Sequence, residues 1–472
     1  MLDRLVLKNF RNFKSLALPL QRGWHVFLGE NGQGKTNLLE AFVLLAWGKS
    51  HRQGLSGTTT LNKSLQTHPL IYHASWLPES LREDDRNETH ADELPSVEAL
   101  LGSTSTSQYP EYALIEAFFQ SKQDTCPSEH VPLVASSSDV LRLRFEAQGK
   151  QSRLKASWNG KPFKRRGDLV GKVPCVAFFT EDLALLRGQP SDRREWLERA
   201  MLQWQPLYQD VFQTYQKVLK QRNELLHQAV TTGHYDEALL DVLTEQFIRV
   251  WWESWTLRLA YLETLLPWLS YYHQRLAHPH DGVLQCCYLP RLHTLGLREG
   301  VPHPLTSHYL GTLHEGTFRE ELKQRRHEEL RRGHTVVGTH KDDILFWLGT
   351  QEHPWLVSQL GSQGQQRSVV LALKLAELAV LAQRCMAHQD PTPILLLDDV
   401  MAELDPERQA KLLLALNTHA SPHTQQVFLT TTHLHPSTLL TLTQAHQADA
   451  HPLPVQGYQV RQGTVIPCPF TT

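Results

Sequence analysis

The order of hydrophobic and polar residues in the first fifty positions predicts two strands, a glycine-rich loop and a helix. Apolar residues dominate positions 2–7 and 24–28, which is typical of strands. Helical spacing then runs from Lys35 to about Trp47. A strand followed by a glycine loop and a helix is the opening of an α/β fold of the nucleotide-binding kind.

The periodic pattern disappears between residue 51 and about residue 140, where Ser, Thr, Pro and acidic residues prevail. Acidic side chains strongly outnumber basic ones at positions 79–98. We therefore expect a low-complexity insert at about residues 53–138, largely loop or disordered. A solvated linker is the simpler interpretation of its charge, and an acidic docking segment is the alternative.

Strand and helix patterns return after this insert. Three strands are expected, at residues 141–145, 154–158 and 175–179. Helical spacing dominates residues 191 to about 276, and a charged helix is expected at residues 318–332. No heptad repeat is sustained over many turns, which argues against a long coiled-coil arm.

The α/β pattern resumes after residue 333. The expected elements are strands at residues 335–338, 344–348, 394–397 and 427–431, a helix at residues 365–383 and a short helix from Pro406. The uninterrupted apolar run at residues 394–397 is typical of a strand buried on both faces of a parallel sheet. The chain is therefore expected to form a discontinuous α/β lobe of residues 1–190 and 333–472, with a mainly helical lobe of residues 191–332 inserted in it.

The composition excludes several classes of protein. Lys and Arg number 47 against 49 Asp and Glu, so there is no global basic field and any surface for nucleic acid must be local. The six cysteines have neither CxxC spacing nor the density of a secreted disulfide scaffold, which favours a reducing, cytoplasmic setting. The first residues lack a signal-peptide core, and the most apolar long stretch, residues 250–272, carries charges. No membrane segment is predicted.

A phosphate-binding loop is the strongest chemical signal in the sequence. The pattern GxxxxGK[ST] is matched by Gly29, Glu30, Asn31, Gly32, Gln33, Gly34, Lys35 and Thr36. The glycines would let backbone N–H groups form an anion nest at a helix N-terminus, Lys35 would reach the β- and γ-phosphates, and Thr36 would coordinate Mg²⁺. An ordinary glycine turn is the alternative, but the position between a strand and a helix favours ATP binding.

Two carboxylates follow the apolar run at residues 394–397, where ligands gather in open α/β sheets. Asp398 is expected to hold Mg²⁺ directly or through water. Asp399 lies where many such ATPases place a glutamate that orients the attacking water, and its shorter side chain predicts slow hydrolysis. Lys35 and Asp399 are therefore the predicted catalytic residues.

Residues 360–365 precede a long amphipathic helix and resemble the signature motif of ABC-type ATPases. In those proteins this motif caps the γ-phosphate bound by the other subunit of a head-to-tail dimer. The resemblance implies that Ser362, Gly364 and Gln365 contact ATP across a dimer interface. A helix N-cap formed by Ser362 is the alternative. Residues 401–406 resemble the D-loop of the same interface, and His433 lies where a switch histidine would fall.

The whole set of motifs resembles the bacterial recombination mediator family RecF, over most of the chain outside the insert. The blocks that carry this resemblance are residues 9–13, 193–194, 219–223, 338–343 and 362–367. The resemblance implies an ABC-type P-loop ATPase head similar to SMC heads, with an inserted mainly helical lobe and no long coiled coil. The sequence departs from the family in the length of the insert and in Thr339, which stands where proline is expected.

The resemblance also implies a function. ATP would close a homodimer on single- or double-stranded DNA at gaps or junctions, and weak DNA-stimulated hydrolysis would reopen it. The protein would thereby help RecO and RecR proteins to load recombinase. Two basic clusters are candidate phosphate contacts: Lys161, Lys164, Arg165 and Arg166, and Lys323, Arg325 and Arg326. Solvated surface is the alternative for each.

Two other ATPase classes fit less well. The nucleotide-binding subunit of a transporter would share the motifs, but it places roughly 100 residues between P-loop and signature, whereas about 325 lie there in this chain. A nuclease-linked ATPase would need a further domain of about 100 to 150 residues after the carboxylate strand. Only about seventy residues follow Asp399.

Overall fold

The computed structural model describes residues 1–50, 112–120, 138–148, 151–278, 280–292, 313–350, 353–416, 424, 426–433 and 454–468. Most of the predicted insert at residues 53–138 lies outside this part of the chain. In the ranges described, no helix is long and apolar enough to cross a bilayer.

The described residues form strands and helices in a mixed α/β arrangement. The strands are β1 (Leu2–Phe10), β2 (Phe13–Pro19), β3 (Gly23–Leu28), β4 (Tyr112–Phe119), β5 (Asp139–Gln148), β6 (Gln151–Trp158), β7 (Lys161–Pro162), β8 (Cys175–Phe178), β9 (Gln285–Leu289), β10 (Asp343–Gly349), β11 (Pro354–Leu356), β12 (Ile394–Asp398), β13 (Gln426–Thr431), β14 (Val455–Arg461) and β15 (Thr464–Pro467). The helices are α1 (Lys35–Trp47), α2 (Ala184–Arg187), α3 (Pro190–Trp204), α4 (Tyr208–Thr232), α5 (Glu237–Leu276), α6 (Glu315–Arg332), α7 (Val357–Leu360), α8 (Gln363–Ala387) and α9 (Pro406–Leu414).

The central sheet has the order β15-β14-β3-β13-β12-β8 and is parallel except for the β14–β15 hairpin. The strand β13 is buried along its whole length, and β12 is buried up to its last residue. This burial on both faces explains why the apolar run at residues 394–397 is uninterrupted. Because parallel strands end at the same edge, the carboxyl ends of β3, β12 and β13 meet there.

A second sheet is antiparallel and has the order β2-β1-β4-β5-β6-β7. Its inner face packs together with α1 against the central sheet in one hydrophobic cluster. Its strand β4 lies between β1 and β5, so the prediction that residues 53–138 form a loop-like insert is wrong for residues 112–119. Alternate side chains of β4 are buried, and pairing on both sides satisfies its backbone. The polar composition around this strand hides its alternating pattern.

The helices between residues 190 and 332 pack around α5, a helix of 40 residues. Its side chains are buried at intervals from Leu240 to Leu276, and it packs against α4 and α8. One hydrophobic core continues from these helices into the central sheet. The division of the chain into two lobes therefore stays a prediction, while α5 is part of the core and not a projecting arm.

The predicted strand at residues 335–338 is wrong. Asn223 of α4 accepts a hydrogen bond from the backbone N–H of Thr335 at 2.8 Å, and Glu329 of α6 accepts one from that of Val336 at 3.1 Å. The guanidinium of Arg222 forms a buried ion pair with Glu329 at 2.6 Å. Side chains of two helices thus supply the hydrogen bonds that a neighbouring strand would otherwise provide.

Candidate nucleotide site

The loop of residues 29–36 joins the carboxyl end of β3 to the first turn of α1. Gly32 and Gly34 have φ angles of 81° and 107°, a conformation that glycine adopts without steric cost. Gly34 is the N-cap of α1, and no side chain in the described ranges caps that helix end. The first N–H groups of α1 therefore suit an anion at the loop.

The neighbouring strand β14 explains why the loop begins with glycine. A Cβ atom at Gly29 would lie 2.5 Å from the carbonyl oxygen of Val460. By contrast, a Cβ atom at Gly32 would meet nothing within 4 Å. Gly29 is thus required by close backbone packing, whereas Gly32 is required only by its dihedral angles.

Two hairpins hold the loop from outside. Asn12, in the β1–β2 turn, donates to the carbonyl oxygen of Gln33 at 3.0 Å and accepts a hydrogen bond from Asn37 at 2.8 Å. The side chain of Gln33 accepts from the backbone N–H of Gln462 at 2.8 Å, and its carbonyl oxygen accepts from Gly463 at 3.2 Å. The sequence indicates Asn12 only as part of a family block, and the contact of the β14–β15 turn with this loop was not predicted.

Lys35 lies inside the loop. Its side chain is buried, and Nζ donates to the carbonyl oxygens of Gly29 at 2.5 Å and Glu30 at 2.9 Å. Burial lowers the pKa of Lys35, while the nearby carboxylates of Asp399 and Asp398 act in the opposite direction. These carboxylates favour the charged form of the lysine, which is the form that binds phosphate.

Three oxygen-bearing side chains meet at the carboxyl edge of the central sheet. Asp398 Oδ1 accepts hydrogen bonds from Thr36 Oγ1 at 3.2 Å and from Thr430 Oγ1 at 2.5 Å. Carboxylate and hydroxyl oxygens are the donors that Mg²⁺ prefers, so the set fits a magnesium ion. The structure brings together the predicted pair Thr36 and Asp398, which are 362 positions apart. Thr430 was missed, although its place at the end of an apolar strand is a usable signal.

Asp399 has φ and ψ angles of 51° and 26°, in the left-handed region that non-glycine residues seldom adopt. Its backbone N–H donates to the carbonyl oxygen of Thr430 at 3.1 Å and to the Thr430 hydroxyl at 3.0 Å. Strained backbone of this kind persists where its surroundings hold it. Thr430 therefore supports both predicted carboxylates.

The segment that resembles the ABC signature begins α8. Ser362 Oγ accepts from the backbone N–H of Gln365 at 3.2 Å, and Gln365 Oε1 accepts from that of Ser362 at 2.9 Å. This reciprocal pair is a capping box, so Ser362 caps α8 as the alternative interpretation expected. Ser362 is nevertheless an exposed residue.

The signature segment contacts residues near α9 and not the loop of its own chain. Gln365 donates to Asp281 at 2.8 Å, and Arg408 lies 3.7 Å from the same carboxylate. A Cβ atom at Gly364 would lie 2.2 Å from the guanidinium of Arg408. Within the ranges described, no hydrogen bond joins Ser362, Gly364 or Gln365 to residues 29–36.

Two further candidates from the sequence are His433 and the D-loop-like segment of residues 401–406. His433 follows β13 with an exposed side chain, and its carbonyl oxygen accepts a hydrogen bond from Thr431 at 2.9 Å. Its role as a switch histidine stays a prediction. In the D-loop-like segment, Asp405 caps α9 through the backbone N–H of Arg408 at 2.9 Å.

The two basic clusters differ in their surroundings. Lys161 lies in the edge strand β7, Lys164 and Arg165 follow it, and all three are exposed. The side chain of Arg166 lies outside the described part of the chain. In the second cluster, Arg325 pairs with two glutamates of its own helix and Arg326 with two acidic residues of α5. The second cluster is thus largely neutralised, and the first is the better candidate for phosphate contacts.

Comparison with known proteins identifies relatives over most of the chain. A family model described as an AAA domain matches residues 4–89. The DNA replication and repair protein RecF of Halalkalibacterium halodurans is 34% identical over 433 residues, which cover 92% of this chain and 93% of that protein. The same protein of Thermosynechococcus vestitus is 34% identical over 442 residues, covering 92% of this chain and 91% of that one.

A solved structure of the recombination mediator protein RecF with ATP, in the RecFOR pathway, has the same fold. It matches with a TM-score of 0.67 at 22% identity, and covers 99% of this chain and 97% of that chain. The predicted fold class is confirmed, since the chain has the α/β fold of an ABC-type P-loop ATPase head.

Proposed function

The chain belongs to the RecF family of DNA replication and repair proteins, and we propose that it uses ATP to close a homodimer on DNA during gap repair and replication. In this proposal the closed dimer assists RecO and RecR proteins in loading recombinase, and the protein works in the cytoplasm. The observation that carries the proposal is the separation of the signature segment from the nucleotide loop of the same chain.

ATP with Mg²⁺ is the ligand that we assign to residues 29–36. Lys35 and the N–H groups at the start of α1 hold the β- and γ-phosphates. Thr36 and Asp398 hold the magnesium ion, whose charge offsets that of the phosphates. Asp399 positions water for hydrolysis, and its short side chain keeps the reaction slow. Hydrolysis then serves as a weak, DNA-stimulated switch.

Closure requires a second copy of the chain because the signature segment contacts residues near α9 and not its own nucleotide loop. Ser362 is exposed at the start of α8, where its hydroxyl can meet a phosphate on another molecule. The γ-phosphate then joins Lys35 of one subunit to Ser362 of the other only in the closed dimer. ATP shifts the population toward that dimer because it binds the closed state better.

The outer face of the antiparallel sheet supports a DNA surface. The side chains of Arg142, Arg144 and Lys155 are 53%, 46% and 55% exposed on this face. Glu116 and Glu146 neutralise part of this charge. The face continues at β7 into the basic cluster that begins at Lys161. A local basic surface of this kind suits the phosphate backbone although the whole chain has no excess of positive charge.

Dimerisation tests the proposal. Lys35→Met should abolish ATP binding, whereas Ser362→Arg should leave ATP binding intact and block ATP-dependent dimerisation, measured by sedimentation. Thr231→Arg, which adds the same charge at the exposed end of α4, is the matched control and should dimerise like the unaltered protein. ATP-dependent dimers of the Ser362→Arg variant would overturn the closure model.

DNA retention separates this function from that of a transporter subunit. Binding to gapped duplex should require ATP and weaken steeply with salt, because counterions are released when phosphates are contacted. Blunt duplex of the same length is the comparison for DNA structure. A protein that binds ATP but is never retained on DNA would favour the transporter alternative.

A further inference from the structure

A basic cavity lies away from the nucleotide site, between the end of α6 and the segment that leads into β10. It has a volume of about 130 Å³. Its lining includes the cations Arg291, Arg325, Arg332 and Lys341, together with His334 and a single carboxylate, Glu328. None of these residues belongs to the loop of residues 29–36, the carboxylate strand or the signature segment.

The single carboxylate is already occupied by two of the cations. Glu328 pairs with Arg325 at 3.0 Å and with Arg332 at 2.8 Å, and these contacts lower the pKa of Glu328. In the part of the chain that is described, the side chains of Arg291 and Lys341 form no hydrogen bond or ion pair. Two cations of the cavity are therefore left without a counterion among these residues.

Lys341 is the most informative of these cations. Its side chain is half-buried, and burial lowers the pKa of Lys341. The nearby charges of Arg194, Arg291 and Arg332 lower it further. A lysine held among cations is unfavourable unless an anion joins it, because like charges repel and desolvation penalises the charged form.

We propose that this cavity binds a phosphate group. Arginine presents several N–H donors in a planar fork that matches phosphate oxygens, and lysine adds a point charge. Arg291 follows β9, Arg332 ends α6 and Lys341 precedes β10, and all three line the cavity, so an anion held inside it can contact each of them. The phosphate comes either from solution or from the backbone of DNA, and the second source rests on the function proposed above.

Thermal unfolding in phosphate tests the site itself. All proteins carry Lys35→Met, which removes the cation of the nucleotide loop and so weakens phosphate binding there. The comparison is 10 mM inorganic phosphate against chloride at equal pH and ionic strength. A site with a Kd of about 1 mM raises the Tm of a chain of this length by about 1 to 2 °C. No shift in this background would overturn the proposal.

Variants assign the shift to the cavity. Lys341→Met should lose it, and Arg291→Gln should lose most of it, which keeps the test valid if one variant folds poorly. Lys323→Met is the matched control, since it removes an exposed lysine of α6 outside the cavity and should retain the full shift. Equal shifts in the Lys341→Met and Lys323→Met proteins would also overturn the proposal.

DNA binding identifies the source of the phosphate. With ATP and an intact Lys35, a DNA source predicts that Lys341→Met weakens DNA binding and reduces the salt slope by about one relative to Lys323→Met. An unchanged slope together with a lost phosphate shift identifies free phosphate as the ligand. Failure of the proposed function would appear separately, as absence of ATP-dependent DNA binding in the unaltered protein.

Discussion

Replacement of Arg11 tests how the helix that follows the nucleotide loop is held. Arg11 lies in the β1–β2 turn, and its Nε and Nη2 atoms donate to Glu40 of α1 at 2.8 and 2.7 Å. The Glu40 side chain is fully buried, and that of Arg11 is 10% exposed. The hydroxyl of Ser50 also donates to Glu40. The ion pair therefore joins the antiparallel sheet to α1 one turn after Thr36.

The expected cost follows from this burial. Arg11→Met leaves the carboxylate of Glu40 buried without its cation, and removing one partner of a buried pair costs about 3–5 kcal/mol of unfolding free energy. The lower end is expected, because Ser50 still donates to the carboxylate. Arg11→Met combined with Glu40→Met removes both charges and should recover most of this loss.

Urea denaturation of the two single variants and the double variant measures the coupling as a double-mutant cycle. ATP affinity, measured by calorimetry, should fall in the Arg11→Met variant because α1 carries Lys35. Arg4→Met is the control, since Arg4 is exposed on the same sheet over Phe118 and should cost no more than about 1 kcal/mol. A loss below about 1 kcal/mol for Arg11→Met, or a double variant as unstable as the sum of the singles, would refute the reasoning.

Three further substitutions probe the site and the core. Gly29→Ala brings a Cβ atom to 2.5 Å from the carbonyl oxygen of Val460, so ATP affinity measured by calorimetry should fall by about tenfold or more; an unchanged affinity would contradict this packing. Thr430→Val removes the hydrogen bond to Asp398 and should slow single-turnover ATP hydrolysis about 10- to 100-fold. An unchanged rate would contradict this role of Thr430. Burial lowers the pKa of His25 to about 4, below the value of about 6.5 expected in the unfolded chain, so its contribution to stability is present above pH 6.5 and is lost as the pH falls towards 4. Urea denaturation of His25→Gln should show a pH dependence weaker by about 3 kcal/mol across this window, and an unchanged dependence would argue against a buried neutral imidazole.

Elements that have local causes are predictable from the amino-acid sequence. The helix Lys35–Trp47 has the predicted bounds, because apolar spacing and the glycines of the loop act within a few residues. The strand Ile394–Asp398 is also as predicted to within one residue, since burial on both faces leaves an uninterrupted apolar run. The resemblance to RecF, which rests on such local motifs, is confirmed by relatives across the chain.

Features that depend on distant partners follow only from the folded chain. The strand β4 pairs with β1, more than one hundred positions earlier, and its polar flanks gave no indication of it. The segment at residues 335–338 has strand-like composition, but Asn223 and Glu329 supply its hydrogen bonds. Strand propensity describes the conformation that a segment prefers by itself. Side chains of neighbouring elements override this preference where they satisfy the backbone hydrogen bonds in another conformation.

The residues of the candidate site also differ in whether local motifs predict them. Lys35, Thr36, Asp398 and Asp399 were predicted because each belongs to a motif written in adjacent residues. Other hydrogen bonds at the site join positions that lie 21 to 84 residues apart. They are those of Thr430 with Asp398, of Asn12 with Gln33 and of Gln365 with Asp281. The order of residues along the chain does not say which of these distant positions will be neighbours. The packing of the sheets and helices determines which side chains meet.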